Sequence, residues 1–433
     1  MSIRTLIGLV VFVVLATARC TAQKLSAIDR AQLVARLWSD ARHNFAGWDR
    51  VRADWDSALA ASLRVASQPQ ADLLFYRRLR RLLALLGDGQ AAVVAPEVLR
   101  SRVARPPLAL TGVEGRPFLA DYAANDEMRV ARPERLAEIL SVQGVPADDW
   151  IRDSILPQIG GATPAARWER AVREMLEGPR GTSLQLLLRV PGGEQRGISV
   201  TRSVSLTDRW PLKPPAVDID SLPDGIVVAR LNSLDSRDVV EQFDQALPVF
   251  TGLRGLILDV RGAAGGEPAY GYQILARLTV QPFPTVRRRT PDYRPGFGLL
   301  GLTDSAASWY ALPIDTVAPR SDRPAYTGPI AVLSSAATSG AAEDFLAAFR
   351  NTARGVIIGA TSAGSPGRPL ELLLLKDWSL RLSVVRDAFP DGTDFAGTGI
   401  APEFPVVQTV NEWLAGRDAA LERARVYCAA QRD

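Results

Sequence analysis

The alternation of strands and helices after Asp224 constrains the fold more than any other feature of this 433-residue sequence. Short apolar runs bounded by turn residues predict buried strands, and the longer amphipathic segments between them predict helices. The predicted strands are Ile226–Leu231, Leu256–Val260, Ile330–Leu333 and Val356–Ile358, and the predicted helices lie near Val239–Phe250, Tyr270–Leu278 and Ala341–Arg350. This order implies an α/β fold with a largely parallel sheet, whose functional site is expected beyond the carboxyl ends of the strands.

The pattern of apolar residues changes twice in the sequence before Asp224. Apolar residues at helical spacing between Ser26 and Leu86 predict a helical region, and Ser26 with Asp29 resembles a capping box. Short apolar runs between Pro106 and Ser203 predict a β-rich module, followed by a proline-rich linker. We therefore expect a signal peptide at 1–22, a helical domain at 23–105, a β-rich module at 106–205, a linker at 206–224 and an α/β domain at 225–433.

The N-terminus has the pattern of a secretory signal. Arg4 precedes an apolar stretch from Leu6 to Ala16, and small residues follow up to Ala22. The stretch is about half of the roughly 20 apolar residues that span a bilayer, so export with cleavage is expected, to the periplasm or the extracellular space. Arg19 disfavours lipid attachment at Cys20 because a small residue is expected at that position. No second long apolar run follows, so no stable membrane span is expected after cleavage.

Chemistry-bearing side chains are scarce. The chain has one histidine, His43, two cysteines, and three lysines at 24, 213 and 376. A zinc site needs three or four His or Cys ligands, so neither a metal nor another cofactor is expected. General acid–base chemistry must use His43, a lysine or a carboxylate. The net charge of +4 comes from interspersed charges, so no nucleic-acid partner is expected; the run Arg287-Arg288-Arg289 is predicted to be a solvated strand end or loop.

Two predicted strand-to-helix turns are rich in small residues. The first runs from Asp259 to Gly266 and the second from Ser334 to Glu343. Turns of this kind can point backbone N–H groups at an oxyanion, and a helix N-terminus favours negative charge. Close packing of strand against helix explains the same glycines without any chemistry.

With these turns, most of the mature chain resembles the tail-specific, or carboxyl-terminal-processing, serine peptidase family, and in particular its branch close to the tricorn protease core. The segments that carry the resemblance are Ala341–Phe345, Ile358–Ser365, Phe389–Gly392, Gly399–Glu403, Asp259–Gly266 and Leu85–Gln90. The resemblance implies crotonase/ClpP-like β-α-β layers for the α/β domain and a PDZ-like character for the β-rich module. It also implies a peptide or protein as ligand, backbone oxyanion donors at Gly265, Gly266 and Ala341, and a supporting carboxylate at Glu343. A carboxylate in a first helical turn also stabilises the helix dipole, and that role alone would account for Glu343.

The sequence departs from the family where chemistry is expected. Gln90 stands where the tricorn-like branch has its general-base histidine, and glutamine has no titratable group. Gly340 stands at the position of the nucleophilic serine, and Ala263 replaces an asparagine beside the glycine pair. In the other branch of the family a lysine serves as the base, and Ser365 stands at that position here. Loss of either nucleophile or base from a serine triad costs about 10⁶ in turnover.

Ser339 is the nearest substitute nucleophile, displaced by one residue from the family position. One helical step is about 100° of rotation and 1.5 Å of rise, whereas a misplacement of about 1 Å costs on the order of a hundredfold in rate. His43, at the end of the first predicted helix, is expected to pack or hydrogen-bond locally, with a catalytic role as the alternative.

Three functional hypotheses follow from the sequence. The first is an exported pseudo-peptidase that retains the fold and binds peptides or unfolded protein segments. The second is an active serine endopeptidase that forms an acyl-enzyme on Ser339 and uses an unidentified base. The third is an envelope scaffold whose middle module captures protein C-termini. The oligomeric state is not determined by the sequence.

Overall fold

The computed structural model describes residues 24–431 except 209, 211–213, 251, 302–306, 321, 323–324 and 368. The predicted signal peptide, Cys20 and Lys213 lie outside the described residues. Among the described helices, none combines the length and apolarity that a membrane crossing requires.

The N-terminal region is mostly helical, as predicted. Its elements are α1 (Ala27–Asn44), α2 (Trp55–Ala66), α3 (Asp72–Ala84), β1 (Ala92–Val94), α4 (Glu97–Arg100) and β2 (Val103–Arg105). The capping box at the start of α1 is confirmed, because the Ser26 hydroxyl accepts from the Asp29 N–H while the Asp29 carboxylate accepts from the Ser26 N–H. Buried side chains on α1 and α3 form the centre of this region, among them Leu33, Leu37 and Leu79.

The middle region is built around one antiparallel sheet in the order β3-β4-β5-β8-β9. Its elements are β3 (Leu108–Val113), β4 (Arg116–Tyr122), α5 (Asp126–Ala131), β5 (Glu138–Val142), β6 (Val145–Pro146), α6 (Ala147–Asp149), α7 (Pro164–Glu174), β7 (Gly178–Pro179), β8 (Ser183–Arg189), β9 (Gln195–Thr201) and β10 (Val204–Ser205). Strands β8 and β9 pair antiparallel as a hairpin. Helix α7 packs against the edge strand β3 through Trp168 and Val172.

The third region contains the predicted α/β layers. Its elements are β11 (Val217–Ser221), β12 (Ile226–Leu231), α8 (Asp238–Ala246), β13 (Gly255–Asp259), α9 (Pro268–Leu275), β14 (Phe283–Pro284), β15 (Arg287–Tyr293), α10 (Pro295–Leu299), β16 (Ala307–Ala311), β17 (Thr316–Val317), β18 (Ile330–Ser334), α11 (Ala341–Thr352), β19 (Gly355–Gly359), β20 (Pro369–Leu375), β21 (Trp378–Ser383), β22 (Arg386–Ala388), β23 (Phe404–Pro405), α12 (Val410–Leu414) and α13 (Ala419–Ala430). All four predicted strands and all three predicted helices are present.

The main sheet has the order β11-β12-β13-β18-β19-β23, and all of its pairs except β11 with β12 are parallel. Helices α8, α9 and α11 cover one face and α13 covers the other. The α/β fold class is therefore confirmed. Because β12, β13, β18 and β19 run parallel, the turns that follow them meet at one edge of the sheet.

One segment predicted as linker is structured. Val217–Ser221 forms the edge strand β11, which pairs antiparallel with β12 along its whole length. The prolines before it obscured the short alternation of Val217 and Ile219. An edge position explains why a strand so close to a proline-rich segment is tolerated.

The hairpin of β20 and β21 leaves the α/β layers and packs against the N-terminal helices. Strand β1 pairs antiparallel with β21, and Trp378, Leu380 and Leu382 lie in the same core as Leu37 and Leu79. This pairing fixes residues 85–92, at the end of the helical region, against the edge of the main sheet.

The prediction that Arg287-Arg288-Arg289 is a solvated end was wrong for Arg288. Arg288 lies on β15 and pairs with two fully buried carboxylates, Asp344 at 3.2 Å and Asp387 at 3.3 Å. Burial beside Asp387 raises the pKa of Asp344 well above its ordinary value. The cluster fixes β15 on helix α11, so its role is structural.

Candidate functional site

Three backbone turns meet at the carboxyl edge of the main sheet. They follow β13, β18 and β19, and span residues 259–266, 334–340 and 360–365. The first is anchored by Arg261, which pairs with Asp259 and with Asp418, both at 2.7 Å. The first two turns are joined because the Thr338 hydroxyl donates to the Val260 carbonyl.

Gly340 has the backbone conformation of a nucleophile elbow. It lies between β18 and α11 with φ +60° and ψ −131°, and a sharp, strained strand-to-helix turn is how such an elbow exposes its side chain. A Cβ built on Gly340 would lie 2.8 Å from Gln90 Nε2, 2.8 Å from Gly265 Cα and 2.9 Å from Gly265 N. Gly340 therefore faces the two positions that the sequence assigns to base and oxyanion donor, but it carries no side chain.

Gln90 is buried beside Gly340 and is hydrogen-bonded to Ser365 and Arg381. Its Nε2 donates to the Ser365 carbonyl at 3.0 Å, the same oxygen that accepts the Gly340 N–H at 3.0 Å. Arg381 donates to the backbone carbonyl of Gln90 at 3.1 Å and to its side-chain Oε1 at 3.4 Å. A primary amide held in this way has no lone pair basic enough to accept a proton from a nucleophile.

The Gly265 N–H, one of the predicted oxyanion donors, is hydrogen-bonded within the protein. The Gly265 N–H donates to the Ser339 carbonyl at 3.1 Å, and the Ser339 N–H donates to the Ala263 carbonyl at 3.3 Å. These bonds form an isolated parallel bridge between Ala264 and Ser339. The predicted donor at Gly265 is therefore already satisfied within the protein. Gly266 packs directly against Leu234, and Ala341 begins helix α11.

Ser339 lies at this bridge and lines the adjacent cleft. It is partly buried, and its backbone is tied to the first turn at both N–H and carbonyl. None of the hydrogen bonds found for the described residues joins its hydroxyl to a base.

Glu343 is completely buried at the start of α11 and holds the third turn. Its carboxyl group accepts from the Ser362 hydroxyl at 2.5 Å, the Gly364 N–H at 2.7 Å and the Ser365 N–H at 2.9 Å. Burial raises its pKa from the ordinary 4.5 to about 7, although the three hydrogen bonds oppose that rise. The Glu343 carboxyl group therefore holds the backbone of residues 362–365 in place.

The remaining candidates supply no replacement base. Ala263 is buried without a polar side chain, and the Ser365 hydroxyl accepts the Gly89 N–H at 3.1 Å. Lys376 pairs with Asp29 on the helical region at 3.0 Å. His43 bonds through Nδ1 to the Ser39 carbonyl at 2.8 Å and packs edge-on against Tyr293, which confirms the local role expected for it.

A cleft of about 510 Å³ opens beside these turns, between them and helix α7. Its walls include four arginines that sequence reasoning did not single out: Arg105, Arg170, Arg173 and Arg381. The only sequence signal was the spacing of Arg170 and Arg173, which places both on one face of α7. Arg381 comes from the β20–β21 hairpin, whose position no local pattern predicts.

Comparison with known proteins agrees with this architecture. Residues 225–406 match the model of peptidase family S41. No curated protein matches the sequence. The fold is similar to mature CPAF complexed with lactacystin, with TM-score 0.74 and 15% identity over 93% of this chain and 98% of that one. It is also similar to a putative peptidase from Parabacteroides merdae, with TM-score 0.56 and 17% identity over 92% and 96% of the two chains.

The raised pKa of Glu343 predicts a pH dependence of stability. A carboxyl group whose pKa is higher in the folded protein stabilises it fully below pH 4.5, and this contribution is lost as the pH rises through about 7. The parent should therefore lose up to about 3 kcal/mol of unfolding free energy over this range relative to Glu343→Gln. Urea unfolding of both proteins at several pH values measures the difference.

The exposed Glu97→Gln variant is the control and should follow the parent. Parallel pH profiles for the parent and Glu343→Gln would contradict the assignment.

Proposed function

We propose that this chain, whose α/β domain belongs to peptidase family S41, is a pseudo-peptidase that binds peptides or unfolded protein segments without cutting them. The family is one of serine-type peptidases, and proteins or peptides are the ligands that such a fold accommodates. The observation that carries the proposal is Gly340, which has the elbow conformation and faces Gln90 and Gly265 without a side chain.

Two further contacts support the absence of hydrolysis. A proton acceptor is missing, because the Gln90 amide is bonded to Ser365 and Arg381. The Gly265 N–H is bonded to Ser339, so an oxyanion would have to displace an existing hydrogen bond. An active site that uses Ser339 would have to break this same bridge and then find a base.

The proposal predicts that the purified protein does not react with a fluorophosphonate probe. Such probes label activated serines, and none of the hydrogen bonds of the described residues joins the Ser339 hydroxyl to a base. The parent, Ser339→Ala and the exposed control Ser199→Ala should all remain unlabelled at equal probe concentration, as measured by gel fluorescence and peptide mapping. Labelling of the parent that disappears only in Ser339→Ala would establish the active-peptidase alternative instead.

Restoring the family serine at the elbow should cost stability and give no activity. In Gly340→Ser the new Cβ would lie under 3 Å from the Gly265 backbone, at a positive φ that L-residues avoid. We expect a loss of about 1–3 kcal/mol in unfolding free energy for both Gly340→Ser and Gly340→Ala. Urea unfolding measures the loss.

Gly262→Ala is the matched control, because a Cβ there meets nothing within 4 Å. Its unfolding free energy should change by less than about 1 kcal/mol. Equal stability of Gly340→Ser and the parent would show that the elbow is not closed.

We also propose that the protein acts outside the cytoplasm, in the periplasm or the extracellular space. The support is the charged and apolar pattern of residues 1–22. Mass spectrometry of the exported protein should find Gln23 as the first residue. A retained leader, or a lipid on Cys20, would contradict this assignment.

A further inference from the structure

The cleft beside the closed site has walls from all three regions of the chain. Helix α7 supplies Arg170 and Arg173, strand β2 supplies Arg105, and strand β21 supplies Arg381. The floor is made of small residues of the first two turns, Ala264 to Gly266 and Ala336 to Ser339. The arginines come from three different elements, so a chain lying on this floor would pass close to several of them.

The carboxylates of the cleft are partly offset by neighbouring arginines. Glu174 pairs with Arg170 at 2.7 Å and also with Arg80, which lies 3.8 Å from Glu177. These four groups carry no net charge when both glutamates are ionised.

Arg173 and Arg381 form no such ion pair, and the carboxylates that act on them at longer range are Glu169 for Arg173 and Asp88 and Glu371 for Arg381. No described carboxylate lies within ion-pair distance of either guanidinium, and Arg173 is exposed to solvent. Arg105 donates a hydrogen bond to the Trp210 carbonyl. It also has no described carboxylate within ion-pair distance. Asp235 is the one further carboxylate that lines the cleft among the described residues.

Two of the arginines repel each other. The positive charge of Arg170 lowers the pKa of Arg381, in addition to the effect of burial. An anion between α7 and β21 would remove this repulsion and accept hydrogen bonds from fixed guanidinium groups.

We propose that the cleft binds polypeptide segments that carry acidic side chains, and that Arg173 and Arg381 bind their carboxylates. This inference rests on the proposed function, because it names the class of segment that the same site takes. Arg381 also touches Gln90, so a bound carboxylate would lie next to the position of the missing base.

The same walls argue against a nucleic acid as the ligand. Glu174, Glu177 and Asp235 are interspersed with the arginines, and a continuous phosphate backbone would meet these carboxylates. A peptide can place isolated carboxylates at the arginines and neutral groups at the glutamates.

The test is fluorescence anisotropy of the full mature protein with a labelled peptide that repeats Gly-Ser-Glu, with both termini blocked. Matched probes replace Glu by Gln or by Lys, and a single-stranded oligonucleotide of similar length is the polyanion control. We expect the Glu peptide to bind at least about tenfold more tightly than the Gln peptide, with a preference that weakens as salt is raised.

Charge reversal at the exposed Arg173 distinguishes a charge preference from a loss of folding most clearly. Arg173→Glu should weaken binding of the Glu peptide about tenfold and strengthen binding of the Lys peptide, while Arg381→Gln should weaken the Glu peptide alone. The control is Arg129→Glu, on the exposed helix α5, where the arginine is 79% exposed and touches only Asp126 within its own turn. It should bind all probes as the parent does.

The outcomes separate this inference from the proposed function. Equal binding of the Glu and Gln peptides, or an unchanged preference in Arg173→Glu, overturns the acidic preference and leaves the pseudo-peptidase proposal intact. Tighter binding of the oligonucleotide than of the Glu peptide also overturns it. Cleavage of any peptide, seen by mass spectrometry of the same samples, overturns the pseudo-peptidase proposal whatever the charge preference.

Discussion

The carboxyl group of Glu343 is the contact on which the arrangement of the site depends. It accepts three hydrogen bonds from residues 362–365 and so fixes the Ser365 carbonyl. That carbonyl in turn accepts the Gly340 N–H and the Gln90 side-chain amide. One buried group at the start of a helix therefore links the elbow at Gly340, the side chain of Gln90 and the third turn.

Two features of the turns bear on the proposed absence of hydrolysis: Gly340 has no side chain, and the Gly265 N–H is bonded within the protein. An elbow residue with a side chain at positive φ is strained, and glycine at 340 removes that strain. The Gly265–Ser339 hydrogen bond then satisfies a donor that an acyl-transfer enzyme keeps available for its transition state. Strain and unsatisfied donors lower the stability of active sites, so both features are consistent with the proposed absence of hydrolysis.

The sequence predicted the α/β layers because local patterns determine them. Buried strands such as β13 and β18 are continuous apolar runs, and the turns after them are marked by glycine, alanine and serine. Strand β11 was missed because prolines precede its five residues, and the ion pairs of Arg288 were missed because its partners lie more than 50 residues away. The bridge that occupies Gly265 and the convergence of Arg381 with α7 depend on tertiary packing, which no local spacing encodes.

The central claim, that a peptidase fold here binds without cutting, is tested most directly by measuring turnover. An unfolded, reduced polypeptide incubated with the parent and with Ser339→Ala can be followed by mass spectrometry of the products. We expect the parent to yield no fragments beyond those of the Ser339→Ala sample. Cleavage by the parent that is lost in Ser339→Ala would contradict it.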